Sequence, residues 1–266
     1  MTMEQIKYGC KPTKSDHRDY DFCRTLGASV APVFPPDYDV DAHVWMPSQY
    51  QPQSVLGGIP AFPYGCTSYT MADIDNDLSG QLQSSPVTME SVTHANERGG
   101  LDVRSAFKAA QQLKWIGNYF NIRAYSQLDW FDSIRYAILS GGFEKRSVSW
   151  GCPWFSVWGS DVAAKNAIMS MPDLSQVSAV GWHNSKFTGW KTINDIPYLV
   201  NKSWQGNNIG DGGLLYFSRE VVNAVMTVNG TCALTAANYD GDIKRVSLPV
   251  VQMILSYLRN FIGLTY

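Results

Sequence analysis

Cys66 is the residue on which the chemistry of this chain turns. It follows Phe62-Pro-Tyr-Gly65 and opens a stretch in which Met71, Ile74, Leu78 and Leu82 recur at steps of three and four, which predicts one face of a helix. A thiol at a helix start lies where the backbone favours negative charge, so its pKa falls and it becomes a nucleophile. Taken alone, the residue also reads as a buried structural cysteine, since free cysteines are among the most buried side chains. A thiol nucleophile needs a proton acceptor, a group to orient that acceptor, and donors for an oxyanion. The acceptor must come from His17, His43, His94 or His183. Lys202, in Val200-Asn-Lys-Ser-Trp-Gln-Gly206, stabilises a thiolate if it points at Cys66, and is a solvated surface lysine if it does not.

The elements that must position these residues fall into three stretches. Residues 1–63 form an arm in which Val33-Phe-Pro-Pro-Asp37 and Phe62-Pro-Tyr64 exclude helix interior. Its apolar residues Phe22, Val30, Val33, Phe34, Val44 and Trp45 need a surface, so the arm is expected to pack on the domain in extended form. From 64 to 142 the pattern is helical. Beyond the helix at Cys66, Val103, Phe107, Ala110 and Leu113 mark a second. A third runs from Trp130 to Leu139, with Ser126 and Asp129 as cap candidates and Gly141-Gly142 as its end. From 143 to 266 the pattern is β-rich: 146–150, 176–180, 196–204 and 213–217 carry β-branched and aromatic residues between Gly and Asn punctuation. Helices are expected again at 220–226 and at 248–261, with Pro249 near the start of the last. Helices followed by strands predict an α+β protein with a helical first lobe and a β-rich second lobe.

Composition narrows the function classes. The chain has 266 residues, 45% of them hydrophobic, and a formal net charge of −2. A sizeable core can form, and the charge gives no reason to propose nucleic acid or an anionic membrane as partner. No apolar run is long enough to span a membrane and the first residues are polar, so cytosolic synthesis without a signal peptide is expected. The cysteines Cys10, Cys23, Cys66, Cys152 and Cys232 are odd in number and contain no CxxC pair, which favours neither a zinc site nor a disulfide framework. No metal or cofactor is expected. Most of the nine tryptophans are expected in the core, and any excess would suit an interface.

Several motifs follow one another in an informative order. Ser15-Asp-His-Arg-Asp-Tyr20, Phe34-Pro-Pro-Asp-Tyr-Asp39, Gln53-Ser-Val-Leu-Gly-Gly58, Gly65-Cys-Thr67 and the glycine-bounded segment Gly100–Gly117 come first. Ser175-Gln-Val-Ser-Ala-Val-Gly-Trp182 and Leu199-Val-Asn-Lys-Ser-Trp204 follow, the latter closed by Gly210-Asp-Gly-Gly-Leu-Leu-Tyr216. Together they resemble the papain-like cysteine peptidases, in particular bacterial and viral forms without a long pro-segment. The resemblance implies a papain-like two-lobe fold, Cys66 as nucleophile and Gln53 as an oxyanion donor. It also implies a cleft between the lobes that takes a peptide or a protein subunit.

Two departures bear on activity. Setting Val180-Gly181-Trp182 on the family's Val-Gly-Tyr puts Ser175 at the family's histidine, and setting Ser203-Trp204 on Ser-Trp puts Lys202 at its asparagine. His183 lies eight residues beyond Ser175, about 26 Å along a strand, and reads as a turn residue in Gly181-Trp-His-Asn-Ser185. Asn201 is one residue from the family position, on the other strand face unless a bulge intervenes. An inserted Ile-Pro-Ala-Phe-Pro-Tyr stretch also lengthens the path from Gln53 to Cys66. The expected function is a papain-like protein that has lost turnover and acts as a binding or assembly component, compatible with a phage virion. The alternative is an active cysteine endopeptidase with Cys66, Gln53 and a displaced base, His183 first. A cell-wall-type Cys–His amidase leaves the Ser203–Tyr216 close unexplained.

Overall fold

The structure, a computed structural model, describes residues 9–14, 20–22, 32–124, 128–141, 145–175 and 181–239. The strand expected at 176–180 and the helix at 248–261 lie outside the described residues, as do Cys23, His17 and Ser126.

Three short strands come from the arm: β1 (Cys10–Lys11), β2 (Tyr20–Asp21) and β3 (Tyr38–Asp39). Helices α1 (Cys66–Ser79) and α2 (Pro86–Thr93) follow, then β4 (Leu101–Asp102), α3 (Val103–Gln112), β5 (Ile116–Ile122) and α4 (Trp130–Leu139). The remainder is β6 (Val148–Pro153), α5 (Ser156–Ala163), β7 (Trp182–Ile193), β8 (Ile196–Lys202), β9 (Leu214–Ser218), α6 (Arg219–Val225) and β10 (Cys232–Asn238). Side-chain caps set several helix starts: Asp102 accepts from Ser105 N at 3.0 Å, and Asp129 from Asp132 N at 2.9 Å. α1 differs, because its N-cap is Gly65 and no side chain caps it.

The strands form a single ten-stranded sheet in the order β2-β5-β10-β6-β7-β1-β4, with β3 and β8 also on β7 and β9 on β8. β7 is the hub. A two-residue turn at Asn194-Asp195, with φ of 51° and 63°, joins it to β8. Two positive φ values suit the type I′ hairpin, and Asn and Asp tolerate them. Alternate residues along β10 feed different cores: Cys232, Leu234 and Ala236 one, Ala233 and Ala237 the other. The first core packs residues of α1, α2 and α3 with Trp45 and Trp204; the second packs α4, α5 and α6 around Trp150, Trp154, Trp158 and Trp190.

The α+β expectation holds, but helices and strands are less segregated than the sequence suggests. The arm supplies β1, β2 and β3, and β5 carries the first half back into the sheet. The stretch read as a turn, Gly181–Ser185, is instead the approach to β7 and its first residues. Its polar run escapes the usual alternation because His183, Asn184, Ser185 and Lys186 are all buried and hydrogen-bonded or ion-paired.

Candidate active site

Cys66 is the first residue of α1, as its spacing predicts. The first intrahelical bond runs from Tyr69 N–H to Gly65 O, so the N–H groups of Cys66, Thr67 and Ser68 point out of the helix start. The Cys66 sulfur accepts the backbone N–H of Asn184 in β7, the residue after His183. The Asn184 backbone reaches the Cys66 sulfur, but side chains alternate along β7: Lys186 faces α1, whereas His183 and Phe187 face the opposite core, so the thiol and the imidazole lie on opposite faces of the strand. His183 Nε2 lies 3.1 Å from Ser203 Oγ, and its ring meets Trp154 edge-on at 4.9 Å between centroids.

Gly-Trp occurs twice, at 181–182 and at 189–190, and the second pair lies in the strand. A Cβ at Gly189 would sit 1.8 Å from the Tyr38 carbonyl oxygen, so only glycine lets β3 pair here. Ser175, which the resemblance sets at the family's histidine, is exposed and bonds Asp173 at 2.7 Å. A bulge between Phe187 and Gly189 shifts the β7–β8 pairing by one residue. Through it Ser203, not Lys202, meets His183, while Asn201 bonds Ser185 at 2.9 Å.

Lys202 neither faces the thiol nor lies in solvent. It is 1% exposed and reaches Asp41 at 2.7 Å and Asp73 at 2.9 Å. Lys186 stands directly opposite it across the ladder and reaches Asp41, Asp73 and Asp77 at 2.9, 2.8 and 2.6 Å. Two like charges face to face on neighbouring strands repel, and three carboxylates offset them here. Asp73 and Asp77 sit seven and eleven residues after Cys66 on α1, so one helix face carries the thiol and the anchor to β7. The carboxylates of Asp41, Asp73 and Asp77 converge as metal ligands do, but the two ammonium groups fill their centre.

His43 extends this network into the arm, 2.8 Å from Asp39. Burial pulls its pKa down, but hydrogen bonds to Asp39 and Asp41 outweigh that and raise it to about 9. A histidine whose folded pKa is raised stabilises fully below its unfolded value near 6.5, and that stabilisation fades as pH rises through about 9. His43→Ala is therefore expected to cost about 1–2 kcal/mol at pH 6, allowing for its partial exposure, and much less at pH 10. Urea titrations at the two pH values check this; equal losses would contradict the charged His43.

The thiol is covered. Gly9 N–H also binds the Cys66 sulfur, β1 pairs with Trp182 beside His183, and Cys66 is 0% exposed. Burial raises the Cys66 pKa to about 11, although the N–H groups of Asn184 and Gly9 and the Thr67 hydroxyl oppose it. Burial likewise lowers His183 to about 3. In this arrangement the thiol and the imidazole are each neutral. Gln53 donates its side-chain amide to the carbonyls of Ser48 and Gln51, at 3.3 and 2.9 Å. The fully buried Gln49, which the sequence reading passed over, donates to Pro63 O at 2.7 Å, close to Gly65 and Cys66.

The element order and sheet are those of a papain-like α+β fold. Among solved structures, the chain is similar to xylellain, a cysteine protease from Xylella fastidiosa, with 13% identity over 88% of this chain and 97% of that one and a TM-score of 0.61. It is also similar to proCathepsin B S9 from Trypanosoma congolense, with 12% identity over 89% and 88% and a TM-score of 0.59. Digestive procathepsin L2 from Tenebrio molitor gives 13% identity over 88% and 79%, with a TM-score of 0.59. No protein-family model matches the sequence, and neither does any curated protein. Among the described residues no helix is long and apolar enough to cross a membrane.

Proposed function

We propose that the chain is a thiol-dependent peptide hydrolase whose cysteine is covered by its own N-terminal segment in this form. The observation that carries this reading is Cys66 at the start of α1, with the outward N–H groups of the helix start beside its sulfur and β1 covering it. Cys66 Sγ would bond to a peptide carbonyl carbon as its proton passes to a water molecule in the opened cleft. The C–N bond would break as a proton returns from that water to the leaving amine. A second water would then attack the thioester, releasing the acid and returning a proton to the sulfur. The N–H groups at the start of α1 would receive the oxyanion.

A second reading follows from burial. A papain-like protein that binds a peptide or a subunit without turnover, for instance as a structural part of a phage virion, has no use for a reactive thiol. The covered, neutral Cys66 suits it. Incubation of the chain with a peptide library, after its N-terminal segment is displaced, separates the two. The hydrolase reading expects cleavage that falls about 1000-fold or more in Cys66→Ala. Cleavage indifferent to Cys66, or no cleavage with Cys66 uncovered, would favour the binding reading.

A further inference from the structure

A cavity of about 550 Å³ opens beside the site, between α5 and the loop after β8. Met46, Gln53, Val162, Lys165, Gln205 and Asn208 are among the residues that line it, and none of its lining residues is acidic. Gln205 stands two residues beyond Ser203, the partner of His183. It is 3% exposed, yet neither its Oε1 nor its Nε2 has a hydrogen-bond partner among the described residues. Other side chains with an unmatched buried polar atom among those residues leave one such atom; Gln205 leaves both. A buried amide with an unmatched donor and acceptor loses free energy on both counts unless a ligand or water completes it.

We infer that this cavity recognises a primary carboxamide, the side chain of asparagine or glutamine, on the substrate peptide next to the bond attacked. The assignment rests on the hydrolase reading for its substrate, and on Gln205 for its chemistry. Two primary amides laid side by side exchange two hydrogen bonds, so a carboxamide satisfies both atoms of Gln205. A carboxylate would set an acceptor against Oε1, and an alkyl group would leave both atoms unmatched. Sites built to hydrogen-bond a group reject analogues lacking it far more strongly than apolar pockets reject a missing methylene. Met46 and Val162 would pack the aliphatic stem.

The test uses the full chain carrying Cys66→Ala, so that binding is read without turnover. N-acetylglutamine N-methylamide, the glutamate analogue and the leucine analogue are titrated while the side-chain NH₂ resonances of Gln205 are followed, assigned by their loss in Gln205→Glu. The expected result is a saturable shift with the glutamine compound at least about tenfold stronger than with the other two, abolished in Gln205→Leu. Equal responses to all three, or none, would overturn the assignment and leave a trapped water as the partner of Gln205. Binding without Cys66-dependent cleavage in the active chain would remove the hydrolase reading but keep the site. Cleavage blind to Asn and Gln would do the reverse.

Discussion

Lys186→Met will lower the unfolding free energy by about 3–5 kcal/mol, the usual cost of removing one member of a buried charge network. Lys186 is 0% exposed and holds Asp41, Asp73 and Asp77 together. Without it three carboxylates share Lys202 and the partly exposed His43. Burial, against the pull of Lys186, already raises the Asp77 pKa to about 7. A carboxyl group that binds its proton more tightly folded than unfolded favours the fold at low pH, and that contribution fades as pH rises through about 7. Removing Lys186 raises Asp77 further, so the loss will be larger at pH 8 than at pH 5. Urea unfolding followed by tryptophan fluorescence measures both. The double variant Lys186→Met with Asp77→Leu should regain part of the loss, because it removes a carboxylate with its partner. A single-variant loss under about 1 kcal/mol would show that the network is not closed to water.

Gly9→Val will expose Cys66. A Cβ at Gly9 would fall 1.9 Å from the Tyr64 carbonyl oxygen, so the segment over the thiol cannot stay in place. In the unaltered chain the Cys66 pKa of about 11 leaves far less thiolate at pH 7 than a free thiol near 8.5 has, about 300-fold less. Iodoacetamide labelling of Cys66, mapped by mass, should be correspondingly slow. In Gly9→Val it should quicken by about 100-fold or more, with a pH profile centred at or below 8.5. A far-ultraviolet spectrum matching the parent guards against simple unfolding. Gly100→Val, whose Cβ would meet the Gly9 carbonyl oxygen at 1.9 Å, provides an independent displacement. If both variants keep their structure and label as slowly as the parent, β1 is not what protects the thiol.

The sequence makes the helix at Cys66 legible because its apolar spacing is regular and Gly65 stands before it. The same holds for α4, whose observed limits, Trp130 and Leu139, match the expectation. β7 was illegible for a physical reason. Its opening residues are polar yet buried, and the partners that make this possible, Ser149, Asp77 and Ser203, lie far away in the chain. The site is hard to read for the same reason: Gly-Trp occurs twice, at 181–182 and 189–190, so a resemblance carried by that pair leaves two registers. The bulge before Gly189, which brings Ser203 to His183, leaves no mark in local composition.

The place of β10 in the sheet has a consequence for how the protein is made. The last described strand lies between β5 and β6, bonded to both. While a ribosome is still short of residue 232, β2 and β5 have no connection through the sheet to β6 and β7. Both facing edges then offer unpaired backbone to other chains. Synthesis at about 5–20 residues per second leaves β5 waiting about 5–25 s for its neighbour. Nascent chains of this protein should therefore depend on chaperones late in translation, and fragments stopped before β10 should aggregate.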